Sequence, residues 1–355
     1  MELLSSTNSF KQLLKWSKQN YSSLPWRKKR TLYSTLVSEI MLQQTTVGTV
    51  LNHFDRFLQQ YPTLESLAQA TEEEIVISWK GLGYYRRARN LLKAAKEINQ
   101  EHKNRFPIER DNLMRIHGVG EYTASALISI GRNRPELAID ANIIRVLSRF
   151  FYLKNLKRSE AVKKLRSAFL ESSEGINFLS NIGARDFNES LMDLGREICK
   201  ANLVRCEQCC LKKQCLSFQK QDFLIEQVKE NKISKFFILD LLRVVHFNPQ
   251  KNKILAKQKN DKEWLSGQFE LPTFIVESED KKLQQYKNLS AIKLKQIKNL
   301  FKLKSGITKY KISNQVALTK IENDIKKSEK LVYLSLDDPR WSSFSVKVIN
   351  KLNTL

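Results

Sequence analysis

Two short runs carry residue types that can do chemistry together. Leu113-Met114-Arg115-Ile116-His117-Gly118-Val119-Gly120-Glu121-Tyr122-Thr123-Ala124 sets a Gly-x-Gly turn between two helical stretches. Ala138-Ile139-Asp140-Ala141-Asn142-Ile143-Ile144-Arg145 sets a carboxylate in a brief polar interruption between apolar segments. A Gly-x-Gly turn leaves backbone N–H groups bare at the start of a helix, where phosphate binds. A carboxylate between apolar segments is costly to bury unless it has a task. Gly118, Val119 and Gly120 as a grip on DNA backbone phosphate, with Asp140 as an acid, point to chemistry on a nucleic acid. Asp140 is also placed to cap the helix expected over Ile143–Phe151.

Cys199, Cys206, Cys209 and Cys215 are separated by six, two and five residues. Four clustered thiols in a reducing compartment bind metal rather than form disulfides. The set suits zinc or an iron–sulfur cluster. Zinc sites usually pair two Cys-x-x-Cys knuckles and one is present, which favours the cluster. Cys210 is the odd thiol and is not expected to be a ligand.

These residues must be held by the rest of a chain of 355 residues, long enough for two domains. A formal net charge of +24 argues for a polyanionic partner. With no run of 18 apolar residues, no membrane span is expected, and the first ten residues do not read as a secretory signal. The expected setting is intracellular: a bacterial cytoplasm, close to the nucleoid.

Residues 1–220 read as successive helices, with apolar positions at helical spacing over 32–42, 47–60, 64–69, 72–80, 85–102, 111–116, 123–131, 143–151, 159–171 and 187–199. Thr63, Thr71 and Asp111 are the expected N-caps. The pattern changes after 220. Residues 221–234 read as a charged linker, and 235–355 as a smaller α+β domain. Its expected strands lie over 236–247, 253–259, 269–276, 309–318 and 331–336, with a basic helix over 287–302.

Four further stretches, with the hairpin, Asp140 and the cysteine spacing, resemble a known family. They are Leu24-Pro25-Trp26-Arg27; Ser38-Glu39-Ile40-Met41-Leu42-Gln43-Gln44-Thr45; Gly81-Leu82-Gly83-Tyr84-Tyr85-x-Arg87-Ala88-Arg89-Asn90; and Phe187-Asn188-Glu189-x-x-Met192-Asp193-Leu194-Gly195. Together they resemble the helix-hairpin-helix DNA glycosylases of the endonuclease III superfamily, and within it the MutY-type adenine DNA glycosylases. The resemblance implies a mainly α N-terminal domain over 1–220 made of two helical lobes. A six-helix barrel would span about 30–137, and a cluster lobe would join 1–29 to 138–220. It also implies a 4Fe-4S cluster on Cys199, Cys206, Cys209 and Cys215.

The activity implied is hydrolysis of the N-glycosidic bond of adenine mispaired with 8-oxoguanine or guanine, in double-stranded DNA, by a monomer. Adenine leaves poorly unless protonated, so one acid is needed on the base side and one negative charge near the sugar. By the resemblance Glu39 protonates N7 and handles the water, while Asp140 stabilises the cationic sugar or forms a transient adduct. Tyr122 stands where lyase members carry a nucleophilic lysine, which implies a monofunctional enzyme. Tyr122 is expected to hydrogen-bond near Asp140, and Asn142 to orient Asp140 or a phosphate. The base must be flipped out of the stack, with Gln44 and Tyr84 as wedges and Arg27 and Glu189 on the extruded adenine.

Beyond 235, Ile254-Leu255-Ala256-Lys257 and Trp264 through Pro272 resemble the Nudix-like lesion-recognition domain of the same family. No Nudix box with paired glutamates is present, so nucleotide hydrolysis is not expected. The family's Phe-Ser-His loop is matched by Ile307-Thr308-Lys309. There Thr308 keeps a hydroxyl and Lys309 replaces the histidine, so the oxidised base would be contacted more weakly or by other groups. His117 stands where the family usually has proline, and Ala141 where it usually has glycine. Two other readings share parts of this pattern. A thymine–guanine mismatch glycosylase would share the hairpin and cluster but normally lacks the second domain and a counterpart of Glu39. A catalytically silent DNA-binding protein would not need Glu39 and Asp140 together.

Overall fold

The computed structural model describes residues 3, 5–28, 30–223, 236–248, 252–260, 263–291, 295–307, 309–320 and 331–354. The chain divides into two compact units. One comprises Met1–Ala70 and Arg86–Glu230, the other Thr71–Tyr85 and Asn231–Leu355. Most of the expected linker lies outside the described residues.

The first unit is helical. Its helices are α1 (Thr7–Tyr21), α2 (Pro25–Lys28), α3 (Leu32–Leu42), α4 (Val47–Gln60) and α5 (Leu64–Ala68), then α7 (Arg86–His102) to α14, α6 (Glu72–Ser78) falling in the second unit. In α3, every residue from Tyr33 to Met41 is buried. The run Leu-Tyr-Ser-Thr-Leu-Val-Ser-Glu-Ile-Met-Leu shows why. It is apolar or small all round, and such a helix sits in a core rather than on a surface. Thr31 starts it with a capping box, its hydroxyl accepting from the Ser34 N–H at 3.0 Å while the Ser34 hydroxyl accepts from the Thr31 N–H at 2.9 Å.

The expected hairpin forms between α8 (Arg110–Arg115) and α9 (Glu121–Ala126). Gly118 has φ of +78°, and a Cβ there would meet the Asn90 Cβ at 2.7 Å, so the turn needs glycine for both conformation and space. Asp111 does not cap α8. Glu109 occupies the cap position without a side-chain bond, and Asp111 falls in the first turn, where its charge meets the positive end of the helix. After α9 the chain widens into a π-helical turn, Leu127–Gly131.

A second apolar centre in this unit draws on α1, α10 (Ala141–Phe150), α11 (Arg158–Leu170), α12 (Ser173–Ile182) and α13 (Ala184–Glu197). Phe10, Phe150, Phe169, Phe178 and Phe187 fill it. Several of these rings meet edge to face, Phe10 and Phe187 at 5.1 Å between centroids. The short α14 is Leu216–Gln219.

The second unit is a mixed-sheet α+β fold. Its strands are β1 (Phe237–Val245), β2 (Phe247–Asn248), β3 (Lys253–Gln258), β4 (Phe269–Glu270), β5 (Thr273–Ser278), β6 (Lys287–Asn288), β7 (Lys295–Ile307), β8 (Tyr310–Lys320) and β9 (Leu331–Ser335), followed by helix α15 (Ser343–Leu352). One sheet runs in the order β6-β5-β1-β8-β7, with β1 parallel to β8. The other runs β2-β3-β4, with β9 on β3. The basic helix expected over 287–302 does not form among the described residues, which give β6, a short 3-10 turn and the first part of β7, itself antiparallel to β8. From Phe301 the alternation is that of a strand: Phe301 and Leu303 pack towards the apolar centre that includes Val348 and Ile349, while Lys302 and Lys304 are exposed.

Candidate active site

Glu39 lies on the last full turn of α3 and is 6% exposed. The Tyr122 hydroxyl, from α9, donates to its Oε2 at 2.6 Å. Burial pushes the Glu39 carboxyl up to about 7, helped by the nearby charges of Glu189 and Asp140 and opposed by the Tyr122 hydroxyl and by Arg27. Near neutrality this group holds a proton it can give away. Tyr122 is itself kept protonated, by burial and by the charges of Glu39 and Asp140. Its hydroxyl bonds Glu39, on the same cavity as Asp140.

Asp140 is the N-cap of α10. Its Oδ1 accepts from the Ile143 N–H at 2.7 Å and its Oδ2 from the Asn142 side-chain amide at 2.8 Å. Burial raises its pKa, and these donors oppose the rise. Asn142 is fixed from its other end, its Oδ1 accepting from Arg145 Nη2 at 2.7 Å. The same guanidinium donates to the Cys199 carbonyl at 2.7 Å and the Gly195 carbonyl at 2.8 Å. Helix α13 reaches Asn142 closely because residue 195 is glycine: a Cβ there would lie 2.6 Å from the Asn142 Cβ.

Both acids open onto one cavity of about 570 Å³ within the first unit, of a size that holds a small ligand. Arg27, Gln44, Tyr122, Asn142 and Glu189 also line it. Seven residues singled out from sequence therefore converge. Arg27 ion-pairs with Glu189 at 3.4 Å and with Asp193 at 2.9 Å, and Arg30 adds a pair to Glu189 at 2.8 Å. Burial pushes the Glu189 carboxyl up, with Arg27 and Arg30 opposing. Asp193 and Met192 line the cavity too. Both lie in a motif of the sequence that by itself assigns them no role. The spacing of Glu189 and Asp193, one helical turn apart, was the available signal that both face Arg27.

A family described as the HhH-GPD superfamily base excision DNA repair proteins matches residues 37–171, which hold Glu39, the hairpin and Asp140. Adenine DNA glycosylase of Buchnera aphidicola subsp. Baizongia pistaciae is 31% identical over 344 residues, covering 94% of this chain and 93% of that protein. The chain belongs to the adenine DNA glycosylases. The enzyme of that name from Buchnera aphidicola subsp. Acyrthosiphon pisum is 34% identical over 238 residues, 65% of this chain and 67% of its own. Among solved structures, a thermostable thymine-DNA glycosylase superposes with a TM-score of 0.50 at 27% identity. It is matched over 99% of its length by 61% of this chain.

Of the two residues expected as wedges, Gln44 lines the cavity and Tyr84 belongs to the second unit. Both have left-handed backbones, with φ of 55° and 47°. Neither is glycine, so each conformation is imposed by its surroundings. Tyr84 is 55% exposed. In the second unit Lys309 sits 3.4 Å from the Asp280 carboxylate and 4.5 Å above the Phe237 ring. Thr308 lies outside the described residues.

All five cysteines are half-buried free thiols. Burial pushes the Cys206 thiol up, with Cys199 and Cys215 adding to it, and pushes Cys209 up to about 12, with Cys210, Cys199 and Cys215 contributing. Cys199 and Cys215 thus lie close enough to act on both Cys206 and Cys209. Among the described residues no three such ligands close around a single ion. A zinc site would need four sulfurs at about 2.3 Å from one centre. A multi-iron cluster takes the same four thiolates around a wider body. Arg149 Nη1 lies 3.4 Å from the Cys199 sulfur and brings a positive charge to the set.

Proposed function

We propose that this chain is a monofunctional DNA glycosylase that hydrolyses the N-glycosidic bond of adenine mispaired with 8-oxoguanine, or with guanine, in duplex DNA. The observation that carries the reading is the placement of Glu39 and Asp140 on one cavity, with Glu39 poised near neutral pH. The two carboxyls sit in unlike environments, as an acid and a charge stabiliser must.

The flipped adenine enters the cavity with its base towards Glu39. Glu39 gives its proton to N7, and electrons of the glycosidic bond move into the ring. The sugar becomes an oxocarbenium ion, which the ionised Asp140 stabilises. Water then adds to the sugar, with Glu39, now ionised, taking its proton. Tyr122 keeps Glu39 aimed and offers no amine, so no Schiff base forms and the strand stays intact. Arg27 and Glu189 present a donor and an acceptor to the base. Gln44 and Tyr84 fill the space it leaves, and Gly118, Val119 and Gly120 hold phosphate.

Cys199, Cys206, Cys209 and Cys215 would hold a 4Fe-4S cluster, which ties the end of α13 to the segment leading into α14. The second unit, Nudix-like in its sequence motifs, would read the opposing oxidised base with Thr308 and Lys309 near the strand. The molecule would act as a monomer in a bacterial cytoplasm. No helix among the described residues is long and apolar enough to cross a membrane.

The test uses three duplexes: adenine opposite 8-oxoguanine, thymine opposite guanine, and undamaged DNA, each followed by alkali. Alkali-dependent cleavage at adenine alone is expected. Release of thymine instead would replace this reading with the mismatch thymine glycosylase, and strand cleavage before alkali would overturn the monofunctional assignment.

A further inference from the structure

Arg87 on α7 is 8% exposed, and its guanidinium is turned onto the end of α3. Nη1 donates to the carbonyls of Ile40 at 2.9 Å and Met41 at 2.8 Å, and to that of Gln43. Nη2 donates to the Thr45 hydroxyl at 2.8 Å. Two of these acceptors, the Ile40 and Met41 carbonyls, belong to the last turn of a helix, which has no intrahelical donors left for them. A cation at that end also meets the negative pole of the helix. The other two flank Gln44 on either side, the residue held at φ of 55°. One planar fork thus grips the turn that follows Glu39 and both neighbours of Gln44.

We infer that Arg87 is the positioning residue that fixes the Gln44 loop relative to Glu39. The group that fills the vacated stack and the group that protonates the base are then set by one side chain. This rests on the roles given above to Gln44 and Glu39. A lysine could not reproduce the arrangement, because it offers a point charge where the guanidinium offers a fork. Ordinary support of the fold is the competing explanation, and it predicts a defect that does not depend on the state of the target base.

The experiment measures single-turnover excision by the full chain on two substrates. In one the target adenine is paired in a duplex. In the other it lies in a single-stranded stretch, unpaired and needing no extrusion from a duplex. With Arg87→Lys, excision from the paired duplex falls by about ten- to hundredfold, while excision of the unpaired adenine stays within a few-fold of wild type. A 2-aminopurine next to the target reports weaker extrusion in the first case. Thr45→Val removes only the hydroxyl at the far end of the fork, and it shows the same substrate dependence more mildly. It carries the test if Arg87→Lys does not fold. Gln44→Ala is the reference for a lost wedge.

Equal losses on both substrates would reduce Arg87 to a structural support. Undiminished extrusion in both Arg87→Lys and Thr45→Val, with Gln44→Ala defective, would overturn this inference alone. A wild-type chain that excises adenine from neither substrate would overturn the functional reading beneath it.

Discussion

The Tyr122 hydroxyl donates to Glu39 Oε2 at 2.6 Å, across 83 positions of sequence. This bond favours the ionised carboxylate, while burial favours the neutral acid more strongly, and the balance leaves Glu39 near 7. Tyr122→Phe removes the donor and leaves the burial. The carboxyl should then hold its proton to higher pH. The alkaline limb of the pH–rate profile is expected to move upward, by up to about one unit, with a fall of about tenfold at neutral pH from the loss of aim. A limb that stays in place or moves down would show that Tyr122 does not set the acid.

Glu39→Gln separates activity from stability. In the folded chain the carboxyl titrates near 7, against 4.5 for an unperturbed group. Between those values the folded state binds more protons than the unfolded one, so stability falls as pH rises from about 4.5 to about 7 and stays low above that. Glutamine carries no charge at any pH and can still accept the Tyr122 bond. The variant should lose about a hundredfold or more in turnover while gaining roughly 1–3 kcal/mol over wild type at pH 8, and match wild type near pH 5. Denaturant unfolding at the two pH values checks this, and equal stabilities at pH 8 would count against a buried acid.

Much of this site was readable in the chain because its burial is written locally. Helix α3 is apolar or small throughout, so the one carboxylate on it had to be buried with it. Asp140 was legible twice over, as an N-cap and as an acid between apolar segments; the structure makes it the cap of α10 and sets it on the cavity. The partner of Tyr122 was not legible, because it depends on how α9 meets α3. Arg87 was visible only as part of a motif, since the carbonyls it serves belong to another helix. The basic helix expected over 287–302 failed for a related reason. Lysines at 295, 298 and 302 fall at helical spacing, and the strand pattern of Phe301 and Leu303 becomes decisive only once β7 pairs with β8 over most of its length.

Asp140 can be divided into its two roles by substitution. Asparagine caps a helix about as well as aspartate, while alanine does not. Asp140→Asn should abolish turnover and leave thermal stability within about 0.5 kcal/mol of wild type, whereas Asp140→Ala should abolish turnover and cost about 1 kcal/mol through the lost cap. Binding to a duplex carrying a non-hydrolysable adenine analogue should persist in the asparagine variant. If that variant retains appreciable excision, the negative charge at this position is not what stabilises the sugar.

The adjacent thiols Cys209 and Cys210 offer a contrast within a single peptide unit. Burial raises both; Cys209 is also raised by Cys210, Cys199 and Cys215, while for Cys210 burial is opposed only by a backbone bond. On this contrast Cys209 is the expected ligand and Cys210 is not. As purified, the wild-type chain should carry about four irons with matching sulfide. Cys210→Ala should leave that content and the visible absorption unchanged, and Cys209→Ala should lose both, with a lower melting temperature as the segment between α13 and α14 comes loose. Stoichiometric zinc in place of iron in the wild type would assign these cysteines to a different metal, and iron retained by Cys209→Ala would remove that residue from the ligand set.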